Sequence, residues 1–192
     1  MCMKDVEIEI QVKLEGADIL EKFLSKNGKS KAENYQKDEY FTPPHKNFLA
    51  EYPVAEWLRL RQSKTNSINY KKWYYNKAGK STHCDEYESE VGDMRLMRKM
   101  LGALGYKTIA IVEKTRKTWL YKDYEVAIDS ITNLGNFVEV EYKGDVDSVD
   151  PVRITNEMVA FLKSIGCKKL ERNYVGYPYM ILYPEKQVFE AV

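Results

Sequence analysis

From residue 5 to residue 14 the chain alternates almost without interruption. Val6, Ile8, Ile10, Val12 and Leu14 fall on one side of an extended strand, and Glu7, Glu9, Gln11 and Lys13 on the other. The same period of two returns at 35–41, 56–63, 67–75, 84–91, 108–116, 118–122, 124–130 and 136–143, in runs rich in Tyr, Val, Ile and Trp. Three segments change to helical spacing. One covers about 17–27 and stops at Gly28; one covers about 94–104 behind Asp93 as N-cap and stops at Gly105; one covers about 153–165 behind Pro151 and stops at Gly166. Short links such as "SKTNS" between "EWLRLRQ" and "INYKKWYY", and "KD" between "KTWLY" and "YEVAIDS", predict hairpins and hence an antiparallel sheet. "TPPHKNFLAEYP" has three prolines and no period, which predicts a long loop near a site.

The helices carry their apolar residues at core spacing, and no chemistry is evident on them; the methionine stripe of the second is core. An acidic alternating strand followed by a covering helix occurs twice, at "EIEI" and at "EYES", as an old duplication would leave it. The 192 residues suit a single α+β domain spanning 1–192.

The charges nearly cancel at a net +1, so bulk charge recommends neither nucleic acid nor membrane as a partner. No apolar run is long enough for a bilayer, and acids stand where a signal peptide needs an apolar core, so the chain reads as soluble and cytoplasmic. Cys2, Cys84 and Cys167 have no CxxC spacing and read as free thiols. With only His45 and His83 present, a histidine metal site or a Ser-His-Asp triad is hard to assemble. Both histidines, together with Trp57, Trp73 and Trp119, read as packing or loop residues. Chemistry falls to carboxylates, lysines, arginines and tyrosines, among which Tyr40 reads first as structural.

Strand parity gathers those groups. Arg59 and Arg61 share a side, as do Asn69 and Lys71, Glu86, Glu88 and Glu90, Lys114 and Arg116, Glu125 and Asp129, and Glu139 and Glu141. A solvated sheet face accounts for any one such strand. Taken together they show acid-acid and base-base repeats, where an ordinary solvated face mixes polar types and pairs opposite charges. Divalent cations would neutralise the acids, and a polyanion the bases. A triphosphate held by Arg and Lys and bridged through Mg²⁺ or Mn²⁺ to carboxylates meets both needs, and positioning with charge stabilisation dominates phosphoryl transfer. A sheet curled with this face inward would make a polar tunnel with helices outside.

The ordered motifs "EIEIQVK", "DEYFTPPHKNF", "EWLRLRQ", "INYKKW", "DEYESEV", "VEKTRKTWLY", "EVAIDSITNLGNFVEVE" and "RNYVGYPYMIL" resemble the CYTH family, the class IV adenylyl cyclase and thiamine triphosphatase group of triphosphate tunnel enzymes. The "YF", proline-loop and "LGNFVEVE" pieces look most like the cyclase branch. The resemblance implies a closed antiparallel barrel of about eight strands forming a polar tunnel, with helices packed on the outside. It implies Glu7, Glu9, Asp129, Glu139 and Glu141 as metal or metal-water ligands, with Mg²⁺ or Mn²⁺ as cofactor. Lys13, Arg59, Arg61, Lys71, Lys114 and Arg116 would hold phosphates, Glu86 and Glu88 would support that set or a second metal, and Glu9, Lys71 and Lys114 would carry catalysis.

Three departures stand out. Gln11 occupies the motif lysine position, unless the register slides by two so that Lys13 supplies it. "THCDE" lacks the arginine common before the second acidic strand. "NYKKWYYNKAGK" lacks the usual glycine-proline turn. The implied substrate is a small triphosphate (ATP, tripolyphosphate or thiamine triphosphate), handled by a monomer or homodimer. Two reactions remain open, cyclisation of ATP with loss of pyrophosphate and hydrolysis of a terminal phosphate. A third reading from a different class is a non-catalytic polyphosphate or nucleotide sensor, which Gln11 and the missing arginine favour.

Overall fold

A computed structural model describes residues 6–186 and 189–192; Cys2 and position 5 of the first expected strand lie outside them. In chain order the strands are β1 (Val6–Glu7), β2 (Glu9–Glu15), β3 (Lys29–Thr42), β4 (Glu56–Gln62), β5 (Ser67–Tyr75), β6 (Ser81–Glu90), β7 (Lys107–Tyr121), β8 (Tyr124–Ile131), β9 (Gly135–Tyr142), β10 (Lys168–Asn173) and β11 (Phe189–Ala191). The helices are α1 (Ala17–Asn27), α2 (Met94–Ala103), α3 (Pro151–Ser164) and α4 (Tyr177–Leu182). All the strands belong to one antiparallel sheet ordered β1-β6-β5-β4-β3-β7-β8-β9-β2-β10-β11.

The expected closed barrel of about eight strands is corrected to this eleven-stranded sheet, whose hydrogen-bond ladder stays open between β1 and β11. The cause is local. The N-terminal segment splits at Ile8: Val6 and Glu7 pair with β6, whereas Glu9 to Val12 pair with β9. The remaining edge of β2 is then occupied by β10, so it cannot complete the ladder to β6. Side chains bridge between the two ends instead: Lys80 Nζ on the β5–β6 turn meets Glu190 at 2.5 Å, and Arg172 on β10 donates to the Ser81 carbonyl at 3.1 Å.

Helices cover the outer, apolar face. Leu20 and Leu24 of α1 and Ile154, Met158 and Leu162 of α3 pack on Ile8, Ile10, Val12, Val126, Val138 and Val140, all nearly or fully buried. Burial of each such side chain stabilises by roughly 1.5–3 kcal/mol. Leu101 of α2, with half-buried Met94 and Met97, covers Phe41 and Leu60, whereas Met100 and Leu104 of the same expected stripe stay exposed, so the stripe is core only in part. Asp93 caps α2 by accepting from the Leu96 N–H at 2.8 Å, and Asp150 caps α3 through the Val152 N–H at 3.0 Å. Gly28 ends α1 where a Cβ would stand 2.9 Å from the Leu24 carbonyl oxygen, so the chain can turn there into β3 only without a side chain. No helix among the described residues is long and apolar enough to cross a membrane.

Candidate active site

With the apolar positions committed outward, period two turns the charged positions of β1, β2, β4–β7 and β9 inward, around a cavity of about 230 Å³. Glu7, Glu9, Arg59, Arg61, Lys71, Glu86, Glu88, Lys114, Arg116, Glu139 and Glu141 all line it, drawn together from positions as far apart in sequence as Glu7 and Glu141. Tyr40, Trp57, Trp73 and Tyr177 line it too, and they are continuous with an apolar cluster containing Phe137, Val112 and Ile131. The cavity therefore has a charged interior and an aromatic wall, to which α4 contributes Tyr177.

The like charges within each strand find their opposites across strands. Lys71 Nζ lies 2.7 Å from Glu7, 3.1 Å from Glu9 and 2.9 Å from Glu86. Arg61 is held by both oxygens of buried Asp38, Nε at 2.7 Å and Nη2 at 2.6 Å. Arg116 makes the same fork to Asp129 and also reaches Glu139 at 2.9 Å, while Lys114 donates to Asp129 at 2.9 Å. Forks of this kind are strong and geometrically specific. Arg59 is different. It reaches Asp38 and Glu86 only at 3.6 and 3.7 Å, and its buried Nε has no acceptor. Its register partner Asn69, 2% exposed, has an Nδ2 without an acceptor as well.

The acids outnumber their partners. Seven carboxylates and six cationic groups line the cavity, and Asp38 and Asp129 add two more carboxylates beneath it. The surplus appears in the proton affinities. Burial, reinforced for each by the Glu7 carboxylate, pushes Glu86 and Glu141 up to about 8. Burial and the neighbouring Glu139 and Glu7 charges also raise Glu9. Burial opposes ionisation of Glu7, yet the Lys71 ammonium brings it down to about 2. Burial and the Arg116 charge lower Lys114 to about 8.

The sequence matches the CYTH domain family over residues 5–171, most of the chain. This chain belongs to the CYTH domain family. A protein of Methanocaldococcus jannaschii described as a putative adenylate cyclase is 29% identical over 167 residues, covering 85% of this chain and 91% of that one. Among solved structures, the PH1819 protein of Pyrococcus horikoshii OT3 superposes with a TM-score of 0.75 at 22% identity, covering 94% of this chain and 99% of that one. A protein from Hippeastrum described as a putative adenylyl cyclase with a dominant triphosphatase activity superposes with a TM-score of 0.62 at 17% identity, covering 94% and 97%.

Two residues implied by the CYTH resemblance stand elsewhere. Lys13 has the right parity but is exposed, with its ammonium over the Phe189 ring at 5.4 Å, because β2 runs past the end of the cavity. Asp129 has no exposed surface and does not line the cavity. Its oxygens accept from Arg116, Lys114 and Tyr177 Oη, the last at 3.0 Å, so donors already surround it. Gln11 itself is engaged at both ends of its amide. Gln11 Nε2 donates to Glu139 at 3.1 Å, and its Oε1 accepts from Asn173 Nδ2 at 2.7 Å. A lysine has donors only and could make the first bond but not the second.

Residues that parity alone did not single out include Asp38, which anchors Arg61, and Tyr177, which follows the "RNYVG" stretch. Trp57 and Trp73 pack as expected, but on the cavity wall rather than away from the site. His83 stacks on Tyr74 at 4.7 Å and His45 lies exposed in the 43–55 loop, so neither joins the site. Cys84 and Cys167 are free and buried, and burial raises both thiols, which makes them poor nucleophiles.

The fit to a divalent cation rests on the donor set. Glu7, Glu9, Glu139 and Glu141 present hard oxygens on adjoining inward positions, with Glu9 opposite Glu141 and their charges mutually repelling. Among the described residues no three His, Cys, Asp or Glu groups already converge as a cation cage, since ammonium and guanidinium groups stand between the carboxylates. The residues fit a cation in the chemistry of their oxygens.

Proposed function

We propose that this chain cleaves the terminal phosphoanhydride of a linear triphosphate, using Mg²⁺ or Mn²⁺ bound through Glu7, Glu9, Glu139 and Glu141. The observation that carries this reading is the size and lining of the cavity. Pockets that enclose drug-sized ligands run to about 300–1,000 Å³, whereas this one holds about 230 Å³ within charged walls backed by an aromatic one. It suits a phosphate chain, and a nucleoside would stand at the mouth, away from the reacting phosphorus. Hydrolysis of a terminal phosphate needs only the chain inside. Cyclisation needs the ribose there too. The triphosphatase activity ascribed to the Hippeastrum relative supports the same choice.

The cation would neutralise the surplus acids and the developing charge on the phosphates. Arg59 Nε and Asn69 Nδ2, which lack acceptors, would hold non-bridging oxygens. Arg61 and Arg116, locked by Asp38 and Asp129, would present their remaining N–H groups in fixed directions. Glu9 would also face the attacking water and take its proton through the oxygen turned away from the cation. Lys114, near 8, would give one to the leaving phosphate oxygen.

The test is a parallel incubation with tripolyphosphate, thiamine triphosphate and ATP in the presence of either cation, following orthophosphate, pyrophosphate and cyclic AMP. Orthophosphate from tripolyphosphate is the expected product. Cyclic AMP with pyrophosphate would establish the cyclase reading, which the Methanocaldococcus relative's description favours. Tight binding without any product would establish the sensor.

A further inference from the structure

Lys71 sits in a position that one ammonium group cannot keep while also serving a phosphate. It carries three N–H protons and no acceptor, and three carboxylate oxygens, from Glu7, Glu9 and Glu86, lie within 3.1 Å of its nitrogen. Every donor it has is directed to an acid. Its side chain faces the cavity two residues along β5 from Asn69, whose Nδ2 and the Nε of registered Arg59 are buried without acceptors. Donors that lack an acceptor thus lie beside a donor that has too many. A lysine stem, unlike a fork-locked arginine, can carry its charge between two positions by rotamer change.

We propose that Lys71 is an exchangeable internal counter-ion, which occupies the acid cluster in the empty protein and moves to the phosphate chain as a divalent cation takes its place. The proposal deepens the cation–triphosphate reading of the cavity and rests on it. The exchange has a thermodynamic signature. A cation alone must displace the ammonium from Glu7 and Glu9 without itself supplying a replacement partner, and a triphosphate alone must draw it off carboxylates that would be left unneutralised. Each ligand therefore lowers the cost of binding the other, and this coupling passes through one side chain.

Calorimetric titration of the full chain with MnCl₂, first alone and then with imidotriphosphate as a non-hydrolysable phosphate chain, tests the exchange on the wild type and on Lys71→Gln. Lys71→Gln is expected to bind Mn²⁺ alone about ten-fold tighter than the wild type and to lose most of the tightening that imidotriphosphate confers. Mn²⁺ binding to the variant that is no tighter than to the wild type overturns the exchange while leaving the cation site standing. Absence of Mn²⁺ binding to either protein, with or without imidotriphosphate, overturns both. A crystal structure of the wild type with Mn²⁺ and imidotriphosphate reads the same question without any variant. Lys71 Nζ is expected on a phosphate oxygen and out of ion-pair range of Glu7 and Glu9; Nζ still on Glu9 overturns the exchange.

Discussion

Asp129 takes Arg116 in a two-toothed grip, Nε at 2.7 Å and Nη2 at 2.6 Å, while shielded completely from solvent. Removing one partner of such a buried pair costs about 3–5 kcal/mol, because the other charge stays buried without compensation. Asp129→Ala should therefore lose stability on that scale in urea denaturation. Asp129→Asn, measured where it still folds, should bind Mn²⁺ as the wild type does. A metal ligand would show the opposite order of effects.

Arg59 and Arg61 are neighbours on one face of β4 with different work. Arg61 is already saturated by Asp38, whereas Arg59 has an Nε without a partner. Arg59→Met is expected to weaken imidotriphosphate binding by about 1.5–3 kcal/mol, the range for a hydrogen bond to a charged group. Its denaturation midpoint should move less than that of Arg61→Met. Calorimetry and urea denaturation on the two variants check the contrast.

Parity along the strands revealed which residues share a face, because a core on one side forces every other residue to the opposite one. It does not reveal depth, which is why Lys13 and Glu9 look alike in sequence and differ in place. β10 escaped notice because "KKLERN" is polar and its pairing with β2 is interrupted after Lys168, with Lys169 at a φ of 50°. "YPYMIL" reads as a turn at its proline, yet proline is tolerated in a first helical turn, and Tyr177 and Pro178 open α4. The open ladder depends on which edge β10 occupies, a choice no local pattern encodes.

Gln11, at the position where the CYTH resemblance implies a lysine, belongs to a circuit of hydrogen bonds that an amide can complete and an ammonium cannot. Glu139, Gln11 and Asn173 are hydrogen-bonded in series, and Asn173 Oδ1 accepts from the Val175 and Gly176 N–H groups that lead into α4. Tyr177 of α4 then donates to Asp129, which holds Arg116, which returns to Glu139. Gln11→Lys restores the family motif but leaves Asn173 Nδ2 without its acceptor. It is expected to lose about 1–3 kcal/mol of stability in urea denaturation.

Glu86 and Glu141 set a pH dependence of known sign. Each has an ordinary pKa of 4.5 and is raised by burial to about 8 in the folded chain. Below pH 4.5 both states hold the proton and neither carboxyl costs anything. As pH rises from there through about 8, the unfolded chain ionises freely and the folded one does not. Stability without ligands should therefore fall across that window. The double variant Glu86→Gln, Glu141→Gln should flatten the fall, as denaturation curves taken across the window would record.

The split at Ile8 gives the first strand segment the character of a drawstring. Its outer side is fastened into the α1 and α3 core through Ile8, Ile10 and Val12, and its inner side carries Glu7 and Glu9. Its first residues hold β6 and its later ones hold β9, so the same short run gathers both sides of the curled sheet. Parting the sheet along this seam would slip Val6 and Glu7 from β6 and carry Glu7 away from Lys71. Opening at that seam and dispersal of the acid cluster would then be one mechanical event.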